Sequence, residues 1–198
     1  MAPIAGSASR LAANRLAGQS RHMRQLLLLR HAKSSWDQPS IADHERPLNR
    51  RGKLAARAMR QAMADLGLQP DLVLVSTSQR TIETLEALEP WAETPLVEPL
   101  DALYLAAAPQ LLQTLQSTAE TVRSVLLIGH NPGLHEFAVL LAGPHGKTLA
   151  DEHARQLAAG YPSGALAEFT IAVPWCGLGE GAGRLVRFLS PRDLPDPA

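Results

Sequence analysis

The sequence predicts an α/β fold of three layers, in which a mostly parallel sheet has helices on both faces and an antiparallel hairpin at one edge. Short apolar runs at 25–29, 71–75 and 122–128 are too brief for helices and have the composition of buried strands. Helical stripes separate these runs, and such alternation is typical of a parallel sheet. Near the end of the chain, a glycine-rich loop joins the runs 165–173 and 184–189, which predicts the edge hairpin.

The first strand and the first helix are the most clearly marked elements. The strand at 25–29 is dominated by consecutive leucines, and a polar loop follows it. Residues 50–66 then carry apolar or small side chains at helical spacing, which predicts a helix with one buried stripe. We expect Asn49 to cap the start of this helix through its side-chain oxygen and Gly67 to follow its last turn.

The rest of the chain repeats the alternation with shorter elements. After the strand at 71–75, a helix is expected at 79–91, with isoleucine and leucine on one side. The elements that follow are a short strand at 96–97, a helix at 109–116, a strand at 122–128, helices at 134–141 and 147–158, and the strands of the hairpin.

The two ends of the chain differ from the body in composition. Residues 1–22 carry arginines but no acidic residue, which is typical of a targeting peptide, a disordered leader or a start codon placed upstream of Met23. Because this segment lacks an apolar core and a cleavage site, we favour the second or third interpretation. We expect a loose tail at 191–198, which is rich in proline, and a single domain over 23–190.

Composition limits the functions that the chain can have. The 19 basic and 19 acidic residues cancel, so no basic surface for nucleic acid or an acidic membrane is indicated. The single cysteine, Cys176, excludes an internal disulfide and fits a reducing compartment. No apolar run approaches the roughly 18 residues that a membrane span needs. We therefore expect a cytoplasmic protein with neither a membrane nor a nucleic-acid partner.

Basic side chains suited to phosphoryl chemistry follow three of the predicted strands. Arg30 and His31 follow the first strand, Arg80 ends the Ser-Thr-Ser-Gln-Arg segment after the second, and His130 follows the run at 122–128. Ligands of such sheets bind outside the carboxyl ends of the strands, so we expect these side chains to converge. Arginine forks bind phosphoryl oxygens, one imidazole can attack phosphorus, and a second can donate to a phosphoryl oxygen. This chemistry requires no metal and no other cofactor.

Structural interpretations compete with each of these assignments. Arg30 and His31 would also serve as a turn pair, and His130 as a hydrogen-bonded core histidine. The repetition at three strand ends favours function. Arg80 lies near the start of a helix, where the dipole disfavours a cation, so an anion is expected beside it.

Residues around the strand ends are weaker candidates. Lys33 and Ser34 in the first loop, and Asn131 after the last strand, are candidate substrate-binding residues. Trp36 would either wall the pocket or pack the loop, and Arg46 is interpreted as a loop-ordering ion-pair residue. His135 is expected to be structural and Cys176 an idle thiol, because neither lies in a ligand or nucleophile motif.

Taken together, these motifs resemble those of the histidine phosphatase superfamily, whose fold is phosphoglycerate mutase-like. Ala32 stands where the family's opening Arg-His-Gly has its glycine. The runs Arg-His-Ala-Lys-Ser-Ser-Trp at 30–36 and Asp-His-Glu-Arg-Pro-Leu-Asn-Arg-Arg-Gly at 43–52 are most similar to the small SixA-type phosphohistidine phosphatases. The resemblance extends in order and spacing over roughly residues 25–189.

The resemblance also implies roles for individual residues. His31 would be the nucleophile that becomes phosphorylated, and Arg30, Arg80 and His130 would form the phosphate pocket with it. Larger members carry a proton-donating acid after the third strand, where this chain offers Glu98 and Asp101. Neither lies in a motif that matches, and we favour the interpretation of both as surface carboxylates over that of acids.

The function that follows is a metal-independent phosphatase that works through a phosphohistidine intermediate. The preferred substrate is a phosphorylated protein carrying phosphohistidine, because the short segment after the third strand predicts a shallow pocket. A P–N bond also breaks more easily than a phosphate ester, which would make the acid dispensable. Two alternatives stay open: a phosphatase of small phosphate esters, and a phosphoprotein-binding module whose nucleophile is displaced by the Cβ of Ala32.

Overall fold

The structure is a computed structural model that describes residues 23–37, 40–143 and 151–195. The expectations for residues 1–22, for the end of the tail at 196–198 and for the start of the helix predicted at 147–158 lie outside the described residues. Among the residues that are described, no helix has the length and apolar character needed to cross a membrane.

In the part of the chain that the structure describes, six strands form one sheet, and a strand buried on both faces lies near its middle. Along the chain they are β1 (Arg24–Arg30), β2 (Leu72–Ser76), β3 (Leu96–Leu100), β4 (Ser124–Gly129), β5 (Leu166–Ile171) and β6 (Gly183–Leu189). Their spatial order is β3-β2-β4-β1-β5-β6. The first four are mutually parallel, whereas β5 runs antiparallel to both β1 and β6. The predicted parallel sheet with an antiparallel edge hairpin is therefore confirmed.

Helices cover both faces of this sheet. They are α1 (Arg50–Asp65), α2 (Gln79–Leu88), α3 (Ala108–Gln116), α4 (Gly133–Ala142) and α5 (Glu152–Ala159). Leu26 and Leu28 of β1 pack into one buried cluster with α3, α4 and α5, and Leu27 and Leu29 pack into a second with α1 and α2. Because each successive side chain points to the opposite face, the leucine run is uninterrupted. The four adjacent leucines of β1 thus contact the helices on both faces of the sheet.

Some element boundaries differ from the sequence prediction, each for a local reason. Helix α2 ends at Leu88, before the predicted end, because Glu89 precedes Pro90 and takes an extended conformation. Strand β3 continues to Leu100 and includes Pro99, which an edge strand tolerates because its outer side forms no ladder. The predicted cap of α1 is confirmed, since the side chain of Asn49 accepts from the backbone N–H of Gly52 at 2.8 Å.

The order of the strands places three carboxyl ends side by side. Strand β4 lies between β1 and β2, with Arg30 level with Gly129 and Val75 level with Ile128. The residues that follow these strands therefore emerge at one edge of the sheet. Short 3₁₀ turns at Asp43–Glu45 and Asp101–Leu103 lie beyond this edge and add side chains to it.

Candidate active site

His31 is oriented by its own backbone. Its Nδ1 lies 2.7 Å from the carbonyl oxygen of Ala32. A carbonyl only accepts, so Nδ1 carries the proton and Nε2 keeps its lone pair. Burial lowers the pKa of His31 to about 4, and the nearby cations of Arg80, Arg30 and Arg46 act in the same direction. The imidazole is therefore neutral at pH 7 and has a free nitrogen with which to attack.

His130 faces His31 across the site, with their ring centroids 5.1 Å apart. Nδ1 of His130 lies 3.4 Å from Nη2 of Arg80, and its Nε2 lies 2.8 Å from Oγ of Ser76. Because a guanidinium only donates, Nδ1 accepts and Nε2 carries the proton. Burial lowers the pKa of His130 to about 3, and the neighbouring His31 ring and Arg80 cation disfavour a further positive charge there. Both histidines are neutral, and the one N–H of His130 donates to Oγ of Ser76.

Arg30 and Asn131 are held by one main-chain oxygen. Nη1 of Arg30 and Nδ2 of Asn131 donate to the carbonyl of Tyr161 at 2.7 and 3.0 Å. The phenol of Tyr161 is itself fixed, because it donates to the carbonyl of Leu28 and accepts from the N–H of Ala167. Within the described part of the chain, the buried Nε of Arg30 has no hydrogen-bond partner. The guanidinium of Arg30 therefore keeps one donor that no described protein group satisfies.

The first loop is ordered by a buried arginine. Arg46 donates to Oγ of Ser34 at 2.8 Å, to the carbonyl of Ser35 at 2.9 Å and to Oδ1 of Asp43 at 2.8 Å. Its guanidinium also stacks on the exposed ring of Trp36, 3.1 Å from the centroid. Arg46 therefore makes the loop-ordering contacts that its motif indicates. The hydroxyl of Ser34 is engaged by Arg46, and the side chain of Lys33 is exposed.

Asp43 is a member of the site for which the sequence supplied no role. Its Oδ2 accepts from Nη2 of Arg80 at 3.0 Å and from the hydroxyl of Tyr104 at 2.6 Å. Its main-chain oxygen accepts from Nη1 of Arg80 at 2.5 Å. The Tyr104 hydrogen bond, followed by Arg46 and Arg80, lowers the pKa of Asp43 to about 2 against the opposing effect of burial. Asp43 is therefore an anion beside Arg80, as expected from the position of Arg80 near the start of a helix.

Tyr104 and His44 form an aromatic wall beside these charges. The ring of Tyr104 meets His130 edge-on at 5.5 Å and His44 at 4.8 Å between centroids. Burial and the hydrogen bond to Asp43 raise the pKa of Tyr104, so its hydroxyl stays protonated and donates. The signal that could have found Asp43 and His44 is their place in the quoted run at 43–52, but nothing periodic in the sequence marks Tyr104.

The two candidate acids occupy different places. Oδ1 of Asp101 accepts from the hydroxyl of Thr77 at 2.6 Å, and the same hydroxyl lies 3.1 Å from Nε2 of His44. Asp101 therefore reaches the wall of the site through two hydrogen bonds. Glu98 is exposed on β3 and lines a separate groove with residues such as Gln113 of α3. The structure does not bring Glu98 to the histidine pair.

Two further residues follow the structural interpretation of the sequence. His135 lies 2.8 Å through Nε2 from the carbonyl of Leu157, a contact that joins α4 to α5. Cys176 is exposed and belongs to a 3₁₀ turn. Over the ranges that the structure describes, no group of three or more histidine, cysteine, aspartate or glutamate side chains is arranged to hold a metal ion.

The comparisons with known proteins identify the family. The model of the histidine phosphatase superfamily (branch 1) matches residues 26–103. The SixA protein from Agrobacterium tumefaciens is 30% identical, with a TM-score of 0.71 over 85% of this chain and 98% of that one. The chain belongs to the histidine phosphatase superfamily. An uncharacterised chloroplastic protein of Arabidopsis thaliana is 36% identical over 130 residues, and the match spans 61% of this chain and 60% of that protein.

Membership of the superfamily explains the architecture of the site. The protein histidine phosphatase SixA complexed with tungstate is 26% identical and covers 85% of this chain and 98% of its own, with a TM-score of 0.67. The phosphoglycerate mutase-like fold expected from the sequence is therefore confirmed. Membership of this superfamily and the similarity to SixA proteins support the assignment of the chain as a phosphatase that acts on a phosphorylated substrate.

Proposed function

We propose that this chain is a phosphatase that forms a phosphohistidine intermediate on His31 and removes phosphoryl groups from histidine side chains of a protein. The observation that carries the proposal is the hydrogen bond of 2.7 Å between Nδ1 of His31 and the carbonyl of Ala32. It leaves Nε2 with its lone pair free, and the neutral imidazole stands next to two guanidinium groups and a second histidine.

The reaction proceeds in two displacements. Nε2 of His31 forms a bond to phosphorus, and the bond from phosphorus to the leaving nitrogen breaks, with its electron pair going to that nitrogen. Arg30 and Arg80 neutralise the charge on the phosphoryl oxygens, and the N–H of His130 donates to one of them after it leaves Oγ of Ser76. Water then attacks phosphorus, the bond to His31 breaks with its electron pair returning to the ring, and both protons of the water leave with the phosphate as H₂PO₄⁻. The guanidinium groups supply the positive charge, so no metal ion is required.

Two features support a protein substrate. Only Ala102 to Ala107 separate the start of the 3₁₀ turn after β3 from α3, so little chain is available to cover the site. Trp36, in the first loop, is exposed and stacks on the guanidinium of Arg46. An exposed aromatic ring of this kind is suited to contact a partner surface. The tungstate complex of the SixA neighbour also fits a pocket in this fold that accepts a tetrahedral oxyanion.

The environment of Ala32 favours turnover over simple binding. Its methyl group packs with Leu48 and Ala56 in a small buried cluster, and its N–H donates to Oγ1 of Thr84 at 3.0 Å. The Cβ that replaces the usual glycine thus has its own place, and the carbonyl of Ala32 still orients the nucleophile.

The test compares phosphate release from a phosphohistidine peptide, a sugar phosphate and an aryl phosphate. We expect the wild type to prefer the phosphohistidine peptide and His31→Ala to lose activity on all three. His135→Gln, which changes a histidine joining two helices, serves as the matched control and keeps the activity. A His31→Ala protein that still hydrolyses any of the three would remove the nucleophile, and a preference for the sugar phosphate would select the small-ester alternative. Activity in EDTA is expected to equal that without it.

A further inference from the structure

Asp43 is an ionised carboxylate beside the cation that the proposed mechanism uses to hold phosphoryl oxygens. Its Oδ2 lies 3.0 Å from Nη2 of Arg80, and the same Nη2 lies 3.4 Å from Nδ1 of His130. The carboxylate is therefore one residue away from the histidine pair. Its side chain is 46% exposed, so it is accessible to a bound substrate.

The hydrogen bonds of Asp43 make it an acceptor and not an acid. Tyr104, Arg46 and Arg80 each donate to it. With the pKa held at about 2, the group carries no proton to give at neutral pH. Two carboxylate oxygens accept about four hydrogen bonds, so these three donors leave one position for a further donor. Tyr104 and Arg80 both donate to Oδ2, whereas Arg46 alone donates to Oδ1. The remaining acceptor position is therefore on Oδ1.

A remaining acceptor next to the phosphoryl site discriminates between leaving groups. An ester oxygen that departs needs a proton, which an ionised carboxylate does not supply. A phosphorylated imidazole whose second nitrogen carries a proton needs none, because the departing nitrogen takes the electron pair and the ring leaves neutral. Before the bond breaks, that ring is positively charged, and a carboxylate is the partner that stabilises its N–H.

We propose that Asp43 determines substrate specificity by accepting a hydrogen bond from the protonated ring of the phosphohistidine. The inference rests on the proposed function and deepens it, since it names the group that selects a P–N bond. The inference also explains how the site works without a proton donor. Of the two candidate acids, Glu98 lies in another groove and Asp101 accepts a hydrogen bond from Thr77.

The test uses Asp43→Asn and a matched control on the same 3₁₀ turn. Glu45→Gln removes one negative charge from an exposed side chain two residues away. Values of kcat/KM are measured with a phosphohistidine peptide and with p-nitrophenyl phosphate. We expect Asp43→Asn to lower the value for the peptide by at least about tenfold and to leave that for the aryl phosphate within about twofold. Glu45→Gln is expected to change neither.

The remaining outcomes separate this inference from the function on which it rests. An equal loss on both substrates, with weaker binding of inorganic tungstate, would assign Asp43 only to the positioning of Arg80 and overturn the inference. An unchanged preference in Asp43→Asn would overturn it as well, while the proposed function would stand. A wild type that hydrolyses the aryl phosphate and not the peptide would overturn the proposed function itself. If Asp43→Asn does not fold, Asp43→Ser provides a smaller neutral side chain for the same comparison.

Discussion

Thr84 accepts a hydrogen bond from the backbone N–H of Ala32 at 3.0 Å, and both groups are buried. The hydroxyl of Thr84 also donates to the carbonyl of Arg80 at 2.6 Å, one turn earlier in α2. One hydroxyl therefore joins the helix that carries the guanidinium of the site to the loop that carries its nucleophile.

Replacement of that hydroxyl by a methyl group tests the connection. Thr84→Val keeps the shape of the side chain and leaves the buried N–H of Ala32 without an acceptor, so we expect the free energy of unfolding to fall by about 1–3 kcal/mol. Thr84→Ser keeps the hydroxyl and serves as the control. Urea denaturation of both variants gives the comparison, and equal stabilities would show that this hydrogen bond contributes nothing.

The depressed pKa values of the two histidines predict how stability depends on pH. Below about pH 6.5 the unfolded chain protonates both imidazoles, while the folded protein resists until about pH 4 for His31 and about pH 3 for His130. Stability is therefore highest above pH 6.5 and falls as the pH drops below it, by up to about 1.4 kcal/mol per pH unit for each histidine. The fall ends once the folded protein also takes up the protons.

Denaturation of wild type and His31→Gln at pH 7.0, 6.0 and 5.0 measures this dependence. The variant lacks one of the two titrating rings, so its loss of stability between pH 6 and 5 is expected to be smaller. The carboxyl groups titrate alike in both proteins and cancel in the difference. Parallel curves for the two proteins would contradict the pKa assigned to His31.

Gly52 marks a close contact between α1 and the first loop. A Cβ built at this position would lie 2.1 Å from the carbonyl oxygen of Lys33, a main-chain atom, so the backbone of the loop would have to shift. We expect Gly52→Ala to lower the free energy of unfolding by at least about 2 kcal/mol and to reduce activity through the displaced loop. Gly177→Ala is the control, because its Cβ would meet only side-chain atoms at 3.8 and 3.9 Å. Similar melting temperatures for the two variants would contradict the contact.

Arg80 provides a test of fork geometry against charge. Lysine keeps the positive charge and loses the two-pronged donor, so Arg80→Lys is expected to lower kcat/KM for any phosphorylated substrate by about 10²-fold. Arg184→Lys, on the exposed side of β6, makes the same change away from the site and is expected to have no effect. Retention of full activity by Arg80→Lys would show that charge alone suffices.

The fold was largely predictable because its signals are local. The leucines of β1 have to be uninterrupted in a strand covered on both faces, and the cap formed by Asn49 depends on a residue three positions away. Boundaries were less accurate where a proline intervened. Pro90 ends α2 early, and Pro99 is tolerated because β3 lies at the edge of the sheet, a position that the sequence does not reveal.

The candidate site was predictable only where its residues follow strands. The strand ends brought His31, Arg80 and His130 together as the topology required. Asp43 and Tyr104 were not assigned roles, because they meet through loops separated by 61 residues and no spacing rule relates them. Charges contributed by loops are thus the part of such a site that a single sequence conceals.

The partner of Nδ1 in His31 is a peptide carbonyl, and this has a consequence for how such a site diverges. Every amino acid carries that oxygen, so mutation of a side chain cannot delete it. The attacking nitrogen therefore keeps its lone pair when side chains around the site are substituted. Related proteins can change their substrates without losing the orientation of the nucleophile.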